Sequence, residues 1–67
     1  MNTIARVKEL AEERGITLYS LAVKCDVPYS TLNNAEARHG QLSVDTIEYI
    51  CLGLGITLST FFTEKSA

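Results

Sequence analysis

The amino-acid sequence predicts an all-α fold, with five helices and no β-sheet, in a single domain over residues 1–67. Apolar residues recur three and four positions apart in successive segments, which is the spacing of one helix face, and no segment alternates as a strand would. The tetrapeptide Gly15-Ile16-Thr17-Leu18 also returns as Gly55-Ile56-Thr57-Leu58. One way of stopping a helix and starting the next is therefore used twice.

The first two predicted helices flank the first of these junctions. The first helix runs from about Thr3 to Arg14, and Gly15 ends it in the left-handed conformation. Thr17 then caps the second helix, roughly Leu18 to Lys24, because its hydroxyl can accept a hydrogen bond from a backbone N–H of the first turn. The inner stripe of the first helix is Ile4, Val7, Leu10 and Ala11.

A tight turn joins the second helix to a third, roughly Pro28 to Ala35, so that residues 17–36 form a helix-turn-helix. Asp26 lies in the turn, where tolerance of the left-handed region is needed. Proline suits the first position of the third helix, since the N–H that it lacks has no helical partner there. The small Ala22 lets the two helices cross closely.

Two more helices follow an irregular stretch from Glu36 to Leu42. Ser43 caps the fourth, Val44 to Leu54, in which Gly53 indicates a close contact with another helix. Thr57 opens a short fifth helix, and the last residues, 64–67, are expected to fray. The residues of the fifth helix expected to face inward are Leu58, Phe61 and Phe62.

Composition limits the classes of protein to consider. An apolar fraction of 46% is ordinary for a folded domain, and no apolar run approaches the roughly 20 residues of a membrane span. The first residues lack the basic and apolar segments of a signal peptide, so we expect a cytoplasmic protein that does not enter membranes. The net charge of −2 counts against nucleic-acid binding, although the surroundings of the third helix are near neutral.

The sequence contains no pattern typical of an enzyme or a metal protein. It has no CxxC motif, one histidine, no glycine loop that could hold a phosphate, and no nucleophile with a base at a recognisable spacing. We therefore expect no catalytic activity, no metal, no cofactor and no small-molecule ligand. Cys25 and Cys51 fall on apolar stripes and are expected to be buried and reduced; a disulfide would need Cα atoms within about 7 Å and an oxidising compartment.

The outer face of the third helix has unusual chemistry. Ser30, Asn33, Asn34 and Ala37 lie opposite its apolar stripe, with Tyr29 and Thr31 beside them. Small side chains that donate and accept hydrogen bonds are suited to the floor of a DNA major groove, where base edges are read by hydrogen bonds and methyl contacts.

Residues 4–62 resemble the Cro/CI-type helix-turn-helix family of phage repressors and small bacterial regulators. The order of the five helices, their spacing and the two Gly-Ile-Thr junctions together support this resemblance. The residues that carry it are Ile4, Val7, Leu10, Gly15-Ile16-Thr17, Leu21-Ala22, Val27, Ser30-Thr31-Leu32, Glu36, Leu42-Ser43, Thr46-Ile47, Ile50-Cys51, Gly53 to Leu58, and Phe61-Phe62.

The resemblance implies a DNA-binding surface centred on the third helix. In the family this helix enters the major groove, and the second helix lies across the DNA backbone. The positions that contact bases correspond to Tyr29, Ser30 and Asn34, and Pro28 corresponds to a position near a phosphate. The predicted DNA-binding residues are Thr17, Lys24, Pro28, Tyr29, Ser30, Thr31, Asn33, Asn34, Arg38 and His39.

Several of these residues also have a purely structural interpretation. Asn34 can pair with adenine or be a solvated helix-end residue, and Ser30 can reach the groove or act as a local cap. Tyr29 can contact a thymine methyl group or a phosphate, or it can cover the turn by packing on Val27. Arg38 and His39 can bind phosphate or belong to a solvated loop.

The resemblance further implies a homodimer on two-fold symmetric double-stranded DNA. We expect the subunits to meet through the fourth and fifth helices, at Tyr49, Phe61 and Phe62, although such an apolar patch can also be the edge of the core. Three departures from the family pattern are Leu18 for a glutamine, Asp26 for a glycine and Asn34 for a basic residue. They favour an alternative, a protein-interaction module of antitoxin-like or anti-repressor type with weak or no DNA binding.

Overall fold

The computed structural model describes residues 2–38 and 40–63, and within these ranges it contains helices and no strand. The all-α prediction is confirmed. The element order is α1 (Thr3–Glu13), α2 (Leu18–Lys24), α3 (Tyr29–Ala37), α4 (Val44–Leu54) and α5 (Leu58–Phe62). The fraying expected of residues 64–67 falls outside the described residues. No helix in the described part of the chain is long and apolar enough to cross a membrane.

The predicted stop and start signals are found where they were expected. Gly15 and Gly55 both adopt positive φ, at 66° and 70°. The hydroxyls of Thr17 and Thr57 each accept a hydrogen bond from a backbone N–H three residues later, at 3.0 Å. Ser43 caps α4 in the same way at 3.2 Å. The recurring tetrapeptide is therefore one local structure used at two junctions.

The predicted boundaries of α3 were wrong at both ends. Pro28 is the residue that precedes the helix, with ψ of 132°, and it is not the first helical residue. The helix continues to Ala37, two residues beyond the expected end at Ala35. Its helical hydrogen bonds extend to Arg38, whose N–H donates to the Asn34 carbonyl at 3.0 Å.

α1 ends at Glu13, and Arg14 is its C-cap.

One apolar core joins all five helices. The inner stripe of α1 packs against α2, and α2 contacts both α3 and α4. The buried apolar side chains are Ile4, Val7, Leu10, Ala11, Leu21, Ala22, Cys25, Val27, Leu32, Ala35, Ile47, Ile50, Cys51 and Phe61. This core holds the helix-turn-helix at a fixed angle to α4.

α4 approaches α2 closely where Gly53 meets the end of α2. A Cβ atom at position 53 would lie 2.6 Å from the Cys25 Cα atom, which is closer than any side chain can come. The contact predicted from the glycine is therefore present. It joins the helix-turn-helix directly to α4.

Arg6 of α1 is a structural residue that sequence reasoning missed. Its side chain is buried, and its guanidinium donates to the carbonyls of Phe61, at 2.6 Å, and Thr60, at 3.0 Å, while also pairing with the Glu9 carboxylate. These carbonyls belong to the last turn of α5. The guanidinium therefore ties the C-terminal end of α5 to α1.

The stretch between α3 and α4 is fastened to α1 by hydrogen bonds. The Thr3 hydroxyl donates to the Gly40 carbonyl at 3.1 Å and accepts from the Leu42 N–H at 2.7 Å. Glu36, near the end of α3, pairs with Lys8 of α1 at 2.6 Å.

Candidate nucleic-acid interface

The turn between α2 and α3 fixes the angle at which α3 leaves the domain. Asp26 adopts a positive φ of 58°, as predicted for this position. The Val27 N–H then donates to the Ala22 carbonyl at 2.9 Å, and the Val27 side chain is buried. Leu21 and Ala22 are fully buried beneath α3, so the two helices cross at close range.

α3 buries one face and exposes the other, as its sequence predicted. Leu32 and Ala35 face the core, whereas Ser30, Asn33 and Asn34 are exposed and Thr31 is half-buried. Pro28 and Tyr29 lie exposed at the beginning of the helix. The exposed face therefore presents amide and hydroxyl groups to solvent, without a charged residue between Tyr29 and Ala35.

A shallow groove lies between this face and the beginning of α4. Thr31, Asn34 and Arg38 line one side, and Ser43 and Thr46 line the other. Ser43 is exposed, and its hydroxyl lies 2.9 Å from that of Thr46. The groove brings a guanidinium, three hydroxyls and the N-terminus of an eleven-residue helix to one place. These are groups that bind phosphate oxygens.

The predicted basic contacts are exposed. Lys24, in the last turn of α2, and Arg38, just after α3, form no ion pair with any residue in the described ranges. Both are available to a polyanion. His39 was predicted with them and lies outside the described residues. Thr17 is also exposed, and its hydroxyl donates to the Ser20 hydroxyl at 3.0 Å while capping α2.

An aromatic pair beside this face was missed by sequence reasoning. The rings of Tyr19, in the first turn of α2, and Tyr29, in the first turn of α3, meet edge to face with centroids 5.5 Å apart. Tyr29 therefore has an aromatic partner that neither of its two interpretations from sequence, contact with DNA or packing on Val27, included. The signal was a tyrosine in the first turn of each of two helices that a short turn brings together.

The expected apolar patch on α4 and α5 needs a correction. Phe61 is fully buried and belongs to the core, so it cannot be part of an exposed surface. Leu58 and Phe62, expected to face inward, are exposed instead. Tyr49 and Leu52 are also exposed, beside Asp45 and Glu48 on the outer face of α4. We call Tyr49, Leu52, Leu58 and Phe62 the outer apolar face.

The two cysteines are free thiols in the core. The Cys25 Sγ lies 3.5 Å from the Ile50 carbonyl, and the Cys51 Sγ lies 3.8 Å from the Thr57 carbonyl. Burial raises the pKa of both thiols, and Lys24 opposes part of this shift at Cys25. No group of three or more metal-ligating side chains occurs in the part of the chain that the structure describes.

Comparison with known families agrees with this geometry. The model of a family described as Helix-turn-helix matches residues 7–61, which covers most of the chain. The chain belongs to this family. The match confirms the Cro/CI-type resemblance and makes the chain a helix-turn-helix protein of a family of DNA-binding regulators, which is not in general a family of enzymes.

No curated protein and no solved structure matches this helix-turn-helix chain. The roles of individual residues therefore depend on the geometry described above. The predicted DNA-binding residues in the described ranges, from Thr17 to Arg38, belong to α2, α3 and the residues that flank them, whereas Tyr49 and Phe62 belong to α4 and α5. Their functions remain predictions.

Proposed function

We propose that the protein is a sequence-specific transcriptional regulator that binds two-fold symmetric double-stranded DNA as a homodimer, with α3 of each subunit in the major groove. The observation that carries this proposal is the exposed face of α3. It presents the hydroxyl of Ser30 and the amides of Asn33 and Asn34, held outward by the buried Leu32 and Ala35. An asparagine amide can form two hydrogen bonds to adenine, so Asn34 is the proposed principal reader.

The proposed contacts to the DNA backbone lie on both sides of α3. Lys24 and Arg38 carry unpaired positive charges, and the groove between α3 and α4 adds the Ser43 and Thr46 hydroxyls. Because few basic residues are available, we expect binding to depend less steeply on salt than it does for strongly cationic proteins.

The size of the described chain supports a dimer. Successive major-groove half-sites lie about 34 Å apart. The described part of the chain spans 29 Å and offers one helix, α3, with this exposed polar face, so each half-site needs a subunit of its own. The outer apolar face on α4 and α5 is the proposed surface between subunits, and Tyr49 and Phe62 are its predicted contacts.

The proposal is tested by selection of bound duplexes from a random pool at low salt, followed by sedimentation with and without the selected DNA. We expect a reproducible two-fold symmetric motif and a dimer on the DNA. Failure to enrich any duplex at low salt would overturn the proposal and would favour the protein-interaction module instead. A strict monomer at high micromolar concentration, with and without DNA, would overturn the dimer.

A further inference from the structure

The edge-to-face pair formed by Tyr19 and Tyr29, called here the tyrosine pair, has no role in the core. Tyr19 is 61% exposed and Tyr29 is 41% exposed. The rings touch each other with centroids 5.5 Å apart and an interplanar angle of 67°. Neither hydroxyl has a hydrogen-bond partner among the described residues. Two large side chains thus pack against each other at the surface, and their hydroxyl groups form no hydrogen bond with the described residues.

The location of the pair links it to the proposed DNA surface. Tyr29 precedes Ser30, the first exposed polar residue of α3, and Tyr19 lies across the turn in the first turn of α2. Both rings therefore lie beside the face that carries Ser30 and Asn34. A group at this edge of α3 would meet the DNA backbone if α3 enters the groove.

The neighbouring position cannot supply a polar contact to that backbone. Leu18, the first residue of α2, has an apolar side chain that packs against the core. The positively charged residues between 18 and 38 are Lys24 and Arg38. Lys24 lies in the last turn of α2, and Arg38 follows the end of α3. No basic side chain is therefore available in the first turn of either helix.

We infer that the tyrosine pair is a neutral clamp on the DNA phosphate backbone, with both hydroxyls donating to phosphate oxygens and with Tyr19 holding the ring of Tyr29 in place. The inference rests on the proposed function and deepens it. Tyrosine hydroxyls are among the groups that donate to phosphate in protein–DNA complexes. The edge-to-face contact already restricts the Tyr29 side chain in the free protein. Less side-chain conformational entropy is therefore lost when DNA binds.

A neutral clamp has a signature that separates it from a basic contact. A lysine or arginine that neutralises a phosphate releases counterions, so its removal makes the salt dependence of binding shallower. A phenol hydroxyl carries no charge and releases none. Its removal weakens binding to every sequence and leaves the slope of log K against log salt concentration unchanged.

The chain offers a direct optical test, because it contains three tyrosines and no tryptophan. Tyr49→Phe leaves Tyr19 and Tyr29 as the tyrosines that emit, and it is the reference protein with which the further variants are compared. In this background we expect the selected duplex and a random duplex both to quench tyrosine emission on binding.

Phenylalanine substitutions then remove one hydroxyl at a time while keeping the rings. We expect Tyr19→Phe and Tyr29→Phe each to weaken binding to both duplexes about 10- to 150-fold, the cost of one hydrogen bond to a charged group. Neither should change the salt slope or the selected motif. Tyr19→Leu, which removes the supporting ring, should weaken binding further and should reduce the additional loss caused by Tyr29→Phe.

The possible outcomes separate this inference from the proposed function. A wild-type protein that enriches no duplex would overturn both. Wild-type binding that Tyr19→Phe and Tyr29→Phe leave unchanged would overturn the clamp alone, as would a shallower salt slope or a changed motif in either variant. Thermal unfolding followed by circular dichroism would show whether Tyr19→Leu stays folded, and the two phenylalanine variants decide the question if it does not.

Discussion

The surface formed by α2 and α3 differs sharply from the outer apolar face of α4 and α5. The first exposes hydroxyl and amide groups and carries two positive and two negative charges between residues 18 and 38. The second exposes Tyr49, Leu52, Leu58 and Phe62, and its charged residues between 44 and 62 are Asp45 and Glu48. The two surfaces belong to one small core, yet they suit different partners.

The difference explains how an acidic chain can present a surface for a polyanion. Glu9, Glu12 and Glu13 lie on α1, and two further acids lie on the outer face of α4, so much of the negative charge is outside α2 and α3. Net charge is therefore a poor guide here, because the distribution of charge decides which surface a phosphate meets. The acids on α4 would instead repel DNA from the surface proposed to join the subunits.

The largest expected effect comes from comparing two adjacent phenylalanines, of which one belongs to the core and the other to the outer apolar face. Phe61 is fully buried, so Phe61→Ala should lower the free energy of unfolding by about 3–5 kcal/mol, enough to unfold much of a domain this small. Phe62→Ala removes a half-exposed ring that meets Phe61 edge to face, so it should cost the monomer only about 0.5–1.5 kcal/mol while weakening association in sedimentation. Equal destabilisation by the two variants would contradict this assignment of core and surface.

The second prediction concerns the contact that joins the two regions. Gly53→Ala places a Cβ atom against the backbone of Cys25, so α2 and α4 must separate. We expect a loss of about 1–3 kcal/mol in urea unfolding. Leu52→Ala, at the neighbouring exposed position, is the control and should change the free energy of unfolding by less than about 0.5 kcal/mol. An equally stable Gly53→Ala variant would show that the helices do not approach this closely.

The third prediction concerns base reading by α3. Asn34→Ala should cost about 1–3 kcal/mol on the best selected duplex and flatten the preference at one base pair per half-site. Binding to random DNA should change little, because the lost hydrogen bonds are specific to one base. If Asn34→Ala and Ser30→Ala both leave the selected motif unchanged, α3 is not the reader, and the protein-interaction module becomes the better hypothesis.

The smallest expected effect concerns the two unpaired charges. Lys24→Ala and Arg38→Ala should weaken binding to every duplex and make the slope of log K against log salt concentration shallower by roughly one for each lost phosphate contact. Lys8→Ala is the matched control, because Lys8 is also an exposed lysine but is paired with Glu36. A change in motif caused by either test variant would indicate that these side chains read bases.

Much of the fold could be predicted from the sequence because its signals are local. The three-and-four spacing, the left-handed glycines and the threonine and serine caps each involve residues within about one or two helical turns. Pro28 misled the prediction because the same fixed φ suits both the first helical residue and the residue before it, and only the ψ of 132° decides.

The missed features depend on contacts between distant parts of the chain. Arg6 binds carbonyls about 55 residues away, and nothing near Arg6 in the sequence indicates α5. Phe61 and Phe62 are adjacent in a helix of five residues, which is too short for periodicity to show which ring faces the core. The tyrosine pair depends on the crossing of α2 and α3. The sequence shows a tyrosine in the first turn of each helix, but it does not show that the two rings touch.

The position of Cys25 gives the protein a built-in reporter of its own opening. Its thiol lies between α2 and the glycine of α4, so a reagent can attach only after these helices part. The rate at which Cys25 itself is labelled under native conditions, told apart from that of Cys51, therefore measures how often the two regions separate. The raised pKa adds a pH dependence. The pKa of each thiol is higher in the folded protein than in the unfolded chain, so the unfolded thiols ionise first as the pH rises. The free energy of unfolding should therefore be unaffected below the ordinary thiol pKa and should decrease as the pH rises through it.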